Sequence, residues 1–431
     1  MSQRSAGIPN SRRVTAMVAV LGLAYFFVQF HRQSLAVIAG RVASDLVLDS
    51  AGLGALGAAA MYSYALMQVP VGFLTDRFGA RRTVTASLVV ASAGTFAFSA
   101  ARTAPGAILG RTIMGVGIAA VYIPSLAVLR QWCSRERFAT LTGVMLDMGY
   151  AGALCATTPL SYLATTYGWR GTHLITGVVT LILAAAAWYL VVDRTFPAEL
   201  GGRDGAADSE DYRRRAVLRP AFLSLVLWFF LFNGVKLSFQ GLWAGQFLTG
   251  AYGFSPRQAA AILTSLVVGN IAGAPLLGGL SDRLGGTAAI TGGTLVAAAF
   301  WAFLGFSGVT LGFAASCAFF FLMGMSEGCL SAAFGQVRHL SPPGKSGMYL
   351  GIANTAAFLG SATFTQGIGR VVESRAISGF ARVCRPLFAS FSAVMALAAA
   401  AVWLTNPRTG PMTRGVFTVS AGESPPSEDR R

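Results

Sequence analysis

Apolar runs of roughly 20 residues follow one another along most of the chain, each closed by a short polar or charged stretch, and that is the length a helix needs to cross a bilayer. Read as helices, the runs fall at 14–40, 51–74, 83–101, 105–130, 139–163 and 172–192. A second set falls at 219–248, 257–280, 288–307, 310–336, 347–371 and 384–404. They are continuously apolar rather than alternating, which excludes strands as the spanning unit. The pattern predicts an all-α membrane protein of 12 transmembrane helices in two bundles, 14–192 and 219–404. Residues 193–218 between them are polar and rich in Gly, Asp and Arg, as a linker on the cytoplasmic side would be. Residues 1–13 are polar and basic, and the run after them is too long for a cleaved signal. The segment 405–431 is rich in Pro, Ser and charge, and is expected to be a disordered tail.

Composition agrees. Charged residues make up 12% of the chain, against about 25% in soluble proteins. The net charge of +16 invites a nucleic-acid reading, but the placement of the charges decides against it. Lys and Arg gather near the N-terminus (Arg4, Arg12, Arg13), at Arg77/Arg81/Arg82, at Arg130/Arg135/Arg137, in the linker and in the tail, while the alternate loops hold few (Arg41, Arg102, Arg170, Arg257). That is the positive-inside asymmetry of a multi-pass protein of the cytoplasmic (inner) membrane with both termini cytoplasmic. A group around Arg370, Arg375, Arg382 and Arg385 runs against it. The 5 cysteines are scattered without CxxC spacing, so neither a disulfide framework nor a metal or cofactor site is indicated. His31, His173 and His339 stand in separate segments, and no Walker loop, HExxH or nucleophile elbow occurs. An enzyme is not expected.

One phrase occurs twice at matching points of the two halves. It reads Gly72-Phe-Leu-Thr-Asp76-Arg77-Phe-Gly79-Ala-Arg81-Arg82, and then Gly278-Gly-Leu-Ser-Asp282-Arg283-Leu-Gly285-Gly286. Ser50 and Ser255, 26 and 27 residues ahead of Asp76 and Asp282, read as helix N-caps. Gly72 and Gly79 suit a tight turn, and Asp76 can accept the free N–H groups of a helix start. The arginines can reach carboxylates or phosphate heads, or act only as topology anchors. The first copy resembles, position for position, the loop between the second and third helices of the major facilitator superfamily. The resemblance implies two six-helix bundles with a substrate site between them near mid-membrane. It also implies a conformational latch at Gly72, Asp76, Arg77, Gly79, Arg81, Arg82, Asp282 and Arg283. The second copy lacks the basic end, so the latch is expected to be asymmetric.

Ionisable groups at membrane depth are costly and therefore suggest function. Arg32, Arg111, Asp147, Lys236 and Glu327 qualify, with His31 beside the first. Arg32 precedes Asp76 by 44 residues (76 − 32) and Lys236 precedes Asp282 by 46 (282 − 236), so the two cations hold near-equivalent places. With no acid beside them in sequence, they predict an anion site: Arg grips a carboxylate, sulfonate or phosphate bidentately and Lys adds a point charge. Snorkelling to the interface is the alternative. Val28-Gln-Phe-His31-Arg32-Gln-Ser-Leu-Ala-Val resembles the first span of organophosphate/phosphate antiporters and anion:cation symporters, which implies an Arg that binds the substrate anion.

Leu109-Gly-Arg111-Thr-Ile-Met114-Gly115-Val-Gly117 resembles the fourth-span motif whose Arg is tied to proton coupling, with Met114 replacing a polar residue. A bond from Arg111 to a backbone carbonyl is the structural alternative, and the glycines also suit close helix packing. Asp147 and Glu327 are the acids placed deep in spans, either as proton carriers or as static partners of Arg111 or Lys236. The symporters carry G-x-x-E-G in the fourth span; here the acid stands in the tenth, in Gly324-Met-Ser-Glu327-Gly328. Of the aromatics and amides able to line a cavity (Tyr25, Tyr62, Tyr64, Trp243, Gln29, Asn233, Gln240, Asn354, Gln366), Tyr64, Gln240 and Asn354 are taken as candidate substrate contacts with Arg32, Lys236 and His31.

The expectation is a secondary active transporter of a small organic anion, monomeric, with protons as coupling ion. The alternative is proton-driven export of drug-like or siderophore-like compounds. Exporters of that kind resemble G-x-x-x-G-P-x-x-G-G in the fifth span, where this chain has only Gly149, Gly152 and Pro159 at other spacings.

Overall fold

The computed structural model describes residues 11–133, 135–193, 219–342, 346–375 and 380–406. The expected linker beyond Asp193 and the tail beyond Asn406 lie outside the described residues. Every regular element among those described is helical. The first half holds Ser11–Gln33 with Leu35–Leu46, Ser50–Phe78, Ala80–Ala100, Ala104–Ala119 with Tyr122–Trp132, Arg135–Cys155 with Thr158–Thr166, and Gly168–Leu190. The second holds Pro220–Gly250, Pro256–Leu284, Gly286–Phe306, Phe313–Ser326 with Cys329–Leu340, Ser346–Ser374 and Phe380–Thr405. These are the twelve spans, and among the described residues 9 of them are long and apolar enough to cross a membrane on composition alone. The second and eleventh spans pack against each other along the seam between the halves.

Several boundaries differ from expectation. The loop expected between the second and third spans shrinks to Gly79, whose φ of +83° requires glycine, and its mate Gly285 has φ +90°. Gly72 therefore sits inside a helix and not in a turn. Ser50 is the first helical residue instead of the cap: Asp49 caps the helix by accepting from the Gly52 N–H at 2.6 Å. Ser255 does cap the eighth span, in a full capping box with Gln258.

Glycine sets the helix spacing. In the fourth span a Cβ at Gly115 would strike Ala60 and Ser63 of the second, and one at Gly117 would strike Ala91 of the third. In the tenth, Gly324 and Gly328 lie against Leu266 and Gly273 of the eighth in the same way. Both glycine phrases thus serve close backbone approach, whatever else their neighbours do.

The halves are knit together on the side remote from the termini. There Gly54 and Gly369 bring the second and eleventh spans into backbone contact, and Gly245 abuts Ala36. Thr157 and Thr158 bond Thr264 at 2.8 and 3.0 Å, and the Ser50 N–H donates to Glu373 at 3.0 Å. On the same side Asp45 accepts from the Trp169 indole (2.8 Å) and pairs with Arg170 (2.6 Å). Those partners, the indole first, hold its carboxyl below the usual carboxylate range. Toward the termini, Tyr122–Trp132 and Cys329–Leu340 share no comparable packing.

Candidate substrate site

Arg32 stands in the last turn of Ser11–Gln33, next to the break at Ser34, where the Ser34 hydroxyl donates to the His31 carbonyl at 3.1 Å. Half-buried, it donates from Nη1 to Gln29 Oε1 at 2.6 Å. Its guanidinium lies 4.5 Å from the Phe358 ring centre and 5.5 Å from that of Tyr64. Phe358 belongs to the eleventh span, so this cation sits across the seam between the halves and not at the lipid interface expected of a snorkelling side chain. Among the described residues no carboxylate pairs with it. A small cavity of about 20 Å³, room for one water, lies beside it on the closed side, bordered by Gly57, Leu242, Ser361 and Thr365.

Lys236 has the opposite surroundings. It is buried, its Nζ donating to Asn270 Oδ1 at 2.8 Å and standing 3.4 Å from Glu327 Oε2. Gln240 Nε2 donates to the same carboxylate oxygen at 2.6 Å. No acid stands beside Lys236 in sequence, but folding brings Glu327 from the tenth span to it, the static pairing that was weighed against a proton-carrying role. Glu327 is held at the break between Phe313–Ser326 and Cys329–Leu340, where Gly328 packs on Gly273. The seventh span is distorted on both sides of Lys236, with π turns at Phe229–Asn233 and Phe239–Trp243 flanking Gly234–Ser238. Such widened turns mark sites where a helix aims side chains it could not otherwise aim.

The other expected residues divide. Arg111 is 1% exposed and donates to the His31 carbonyl at 3.2 Å, the backbone bond that was the structural alternative. His31 is fully buried, its Nε2 3.1 Å from Thr180 Oγ1 of the sixth span, so its ring points into the first bundle rather than toward the seam. Asp147 is exposed and pairs with neither Arg111 nor Lys236. The Tyr64 and Phe358 rings lie 4.2 Å apart, centre to centre, tilted by 50°, and Asn354 reaches Gln68 across the seam at 3.5 Å. Gln240 is committed to Glu327.

In the repeated phrase, Asp76 is exposed and does not cap the third span. Asp193, just past the sixth, does: it accepts from the Ala80 and Arg81 N–H groups at 3.0 and 3.1 Å. Arg81 covers the Trp188 ring at 4.2 Å, Arg77 lies near Phe73 and Phe78, and Arg82, Asp282 and Arg283 are exposed. Sequence reading missed Asn270, Phe358 and Asp193. Asn270, a lone amide in an apolar run, was findable as an intramembrane polar group; Phe358 carried no signal.

Solved structures with this arrangement include a bacterial homolog of the human lysosomal transporter Spinster in an inward-facing, occupied conformation (TM-score 0.74, 16% identity, 92% of this chain and 97% of that one). The nucleoside transporter NupG, solved as a point mutant, gives TM-score 0.71 at 14% identity over 90% of this chain and all of that one. Among curated relatives, the 3-(3-hydroxy-phenyl)propionate transporter of Escherichia coli is 26% identical over 66% of this chain and 69% of its own length. A probable sulfoacetate transporter of Cupriavidus necator is 23% identical (62% and 65%), and the gentisate transporter of Corynebacterium glutamicum 27% (64% and 63%). The matched part thus spans about two thirds of these relatives. The family model for the Major Facilitator Superfamily matches residues 21–365, and with the twelve-helix, two-bundle fold it shows that the chain is a multi-pass membrane transporter belonging to that superfamily, and not an enzyme.

Proposed function

We propose that this transporter moves a small organic anion by alternating access, with Arg32 as the anion grip and Glu327 as the proton carrier. The observation that carries the reading is the contrast between the cations: Lys236 has its own carboxylate, whereas Arg32 is half-buried at the seam without one. An unpaired guanidinium keeps its charge and offers a planar fork that fits carboxylate, sulfonate or phosphate. The relatives named above, transporters of a phenylpropionate, a sulfonate and a dihydroxybenzoate by their names, support an acid as cargo.

Electrostatics supports coupling to protons. An anion entering between the halves adds one negative charge in a region of low dielectric, where an uncompensated charge is costly. A proton taken by Glu327 adds one positive charge to the Lys236–Glu327–Asn270–Gln240 group, and the total is unchanged. Gln240, which donates to Glu327, borders a small cavity together with Gln33, the residue after Arg32, so the two groups lie near one seam. Rocking of the halves then exposes the loaded site to the other side. The remaining parts of the reading are a monomer in the cytoplasmic membrane, both termini cytoplasmic, and a latch in which Gly79 sets the bend while Arg81 and Asp193 tie the third span to the sixth. The test is uptake of radiolabelled acids into proteoliposomes with an inward proton gradient. Gradient-driven accumulation, lost in Arg32→Ala, is expected; accumulation that ignores the gradient contradicts the coupling, and accumulation retained in Arg32→Ala contradicts the grip.

A further inference from the structure

The cavity beside Arg32 is lined from both halves of the molecule. Arg32, Gln33 and Arg111 border it from the first half, and Leu237, Ser361 and Thr365 from the second. No acidic residue lines it, and among the described residues neither arginine pairs with a carboxylate. Two guanidinium charges beside one small space of low dielectric repel each other unless a negative charge stands between them.

The polar groups around this space also have hydrogen-bonding capacity to spare. Arg111 can donate from several N–H groups. Its Nη1 is spent on the His31 carbonyl at 3.2 Å and lies 3.6 Å from Met114 Sδ, but its Nε, on a side chain 1% exposed, meets no acceptor in the protein. Ser361 is equally buried, and its hydroxyl has no partner. By contrast Ser63, Ser125 and Ser326 each turn back to a carbonyl three or four residues earlier, at 3.0, 2.7 and 2.6 Å. The Thr365 hydroxyl is spent too, donating to Ser238 at 3.0 Å. A donor buried without a partner costs free energy that a bound acceptor returns.

Size narrows what can enter. About 20 Å³, room for one water, is the space of a single oxygen and not of a whole organic acid, so only the charged edge of a cargo fits.

We infer that this cavity seats the anionic oxygen of the cargo, held by Arg32 and Arg111 from one half and by a hydrogen bond donated by the Ser361 hydroxyl from the other. This rests on Arg32 as the anion grip and adds Arg111 and Ser361 to it. The oxygen then ties the first and fourth spans to the eleventh, so that loading joins the two halves on one ligand. A free halide offers the same charge in a similar volume, and the test separates the two sources.

The test is titration calorimetry of phenylpropionate, sulfoacetate and bromide on the full-length protein in nanodiscs, with thermal midpoints recorded alongside. At least one of the two acids is expected to bind wild type, with bromide competing. Ser361→Ala is expected to weaken that acid about 10-fold, the size of a hydrogen bond to a charged group. Its ligand-free midpoint should stay at the wild-type value, because the hydroxyl has no partner in the protein. Ser361→Val, whose branched side chain fills the space, and Arg111→Gln are expected to abolish binding. Variants are required to elute as monodisperse protein, and the two Ser361 variants decide the matter if Arg111→Gln does not. Affinity unchanged in both Ser361 variants but lost in Arg32→Ala overturns the seat and leaves the grip intact. Affinity undiminished in Arg32→Ala overturns the grip and the seat together. A ligand-free midpoint lowered in Ser361→Ala, with affinity unchanged, assigns that hydroxyl a structural role and overturns the inference. Bromide binding removed by Ser361→Val, with neither acid bound by wild type, assigns the cavity to a free halide and overturns it as the cargo seat. Failure of all the probes to bind wild type overturns it as well.

Discussion

Arg32 and Lys236 occupy matching places in the two halves, yet their neighbours make them different groups. The first lies on a bed of rings with one amide and no carboxylate; the second is enclosed by a carboxylate and two amides. Duplication sets where a cation can stand, and the packing around it sets whether it is available to a ligand. The residue types follow the same division. An arginine stays charged and can lie half-buried on an aromatic face, whereas a fully buried ammonium needs a counter-charge. What separates the roles is the acid at the break of the tenth span: the fourth span is broken at the matching point, and there Ala120 and Val121 stand instead.

The comparison is most easily broken at Arg32. Arg32→Ala is expected to abolish anion uptake in proteoliposomes while the protein remains monodisperse, because Arg111, the other cation beside that cavity, is buried and bonded to the His31 carbonyl. Arg32→Lys, keeping charge but losing the fork, should retain a small part of the activity.

The second half should respond differently. Lys236→Met leaves Glu327 buried without its counter-charge, and is expected to destabilise the protein by about 3–5 kcal/mol. Adding Glu327→Gln removes the stranded charge and should restore most of that loss, read as recovery of the thermal midpoint in detergent. A double variant no more stable than the single one contradicts the pairing.

Smaller effects are expected away from the seam. Asp193→Asn weakens the cap on the third span and should cost about 1 kcal/mol, measurable as a lowered midpoint with binding unchanged. Asp45→Asn removes an exposed pair worth about 0–1 kcal/mol. The Asp45 carboxyl is held below its usual range by Trp169 and Arg170. Its contribution is therefore fully present above the unfolded carboxyl value and lost only as pH falls through the lower folded one. Wild type and variant should differ by a constant amount at neutral pH and converge in acid.

Much of this was legible in the chain, and the limits have physical reasons. Span count and the two-bundle division followed from apolar runs, because the bilayer imposes one length on every crossing. The equivalence of Arg32 and Lys236 followed from their distances to Asp76 and Asp282. The pairing was legible only as one alternative among several: Glu327 lies 91 residues after Lys236 (327 − 236), and the choice between Arg111 and Lys236 as its partner is made by packing such as that of Gly328 on Gly273. Asp76 was given the capping role because it precedes a helix in sequence. The helix before it runs on to Phe78, so Asp76 stays on that helix, and Asp193 arrives from the sixth span to accept the free N–H groups. Phe358 could not be told from any other apolar residue of a span, since only its placement under Arg32 gives it meaning.

In this reading Arg32 takes the anion while Glu327, the partner of its counterpart Lys236, carries the proton. Titration calorimetry of the same acid, from pH 5 to 8, on Arg32→Ala and on the Lys236→Met/Glu327→Gln double variant tests it most directly. The account predicts no binding in the first, and in the second binding of near wild-type strength that no longer varies with pH. Binding retained in Arg32→Ala and lost in the double variant contradicts it.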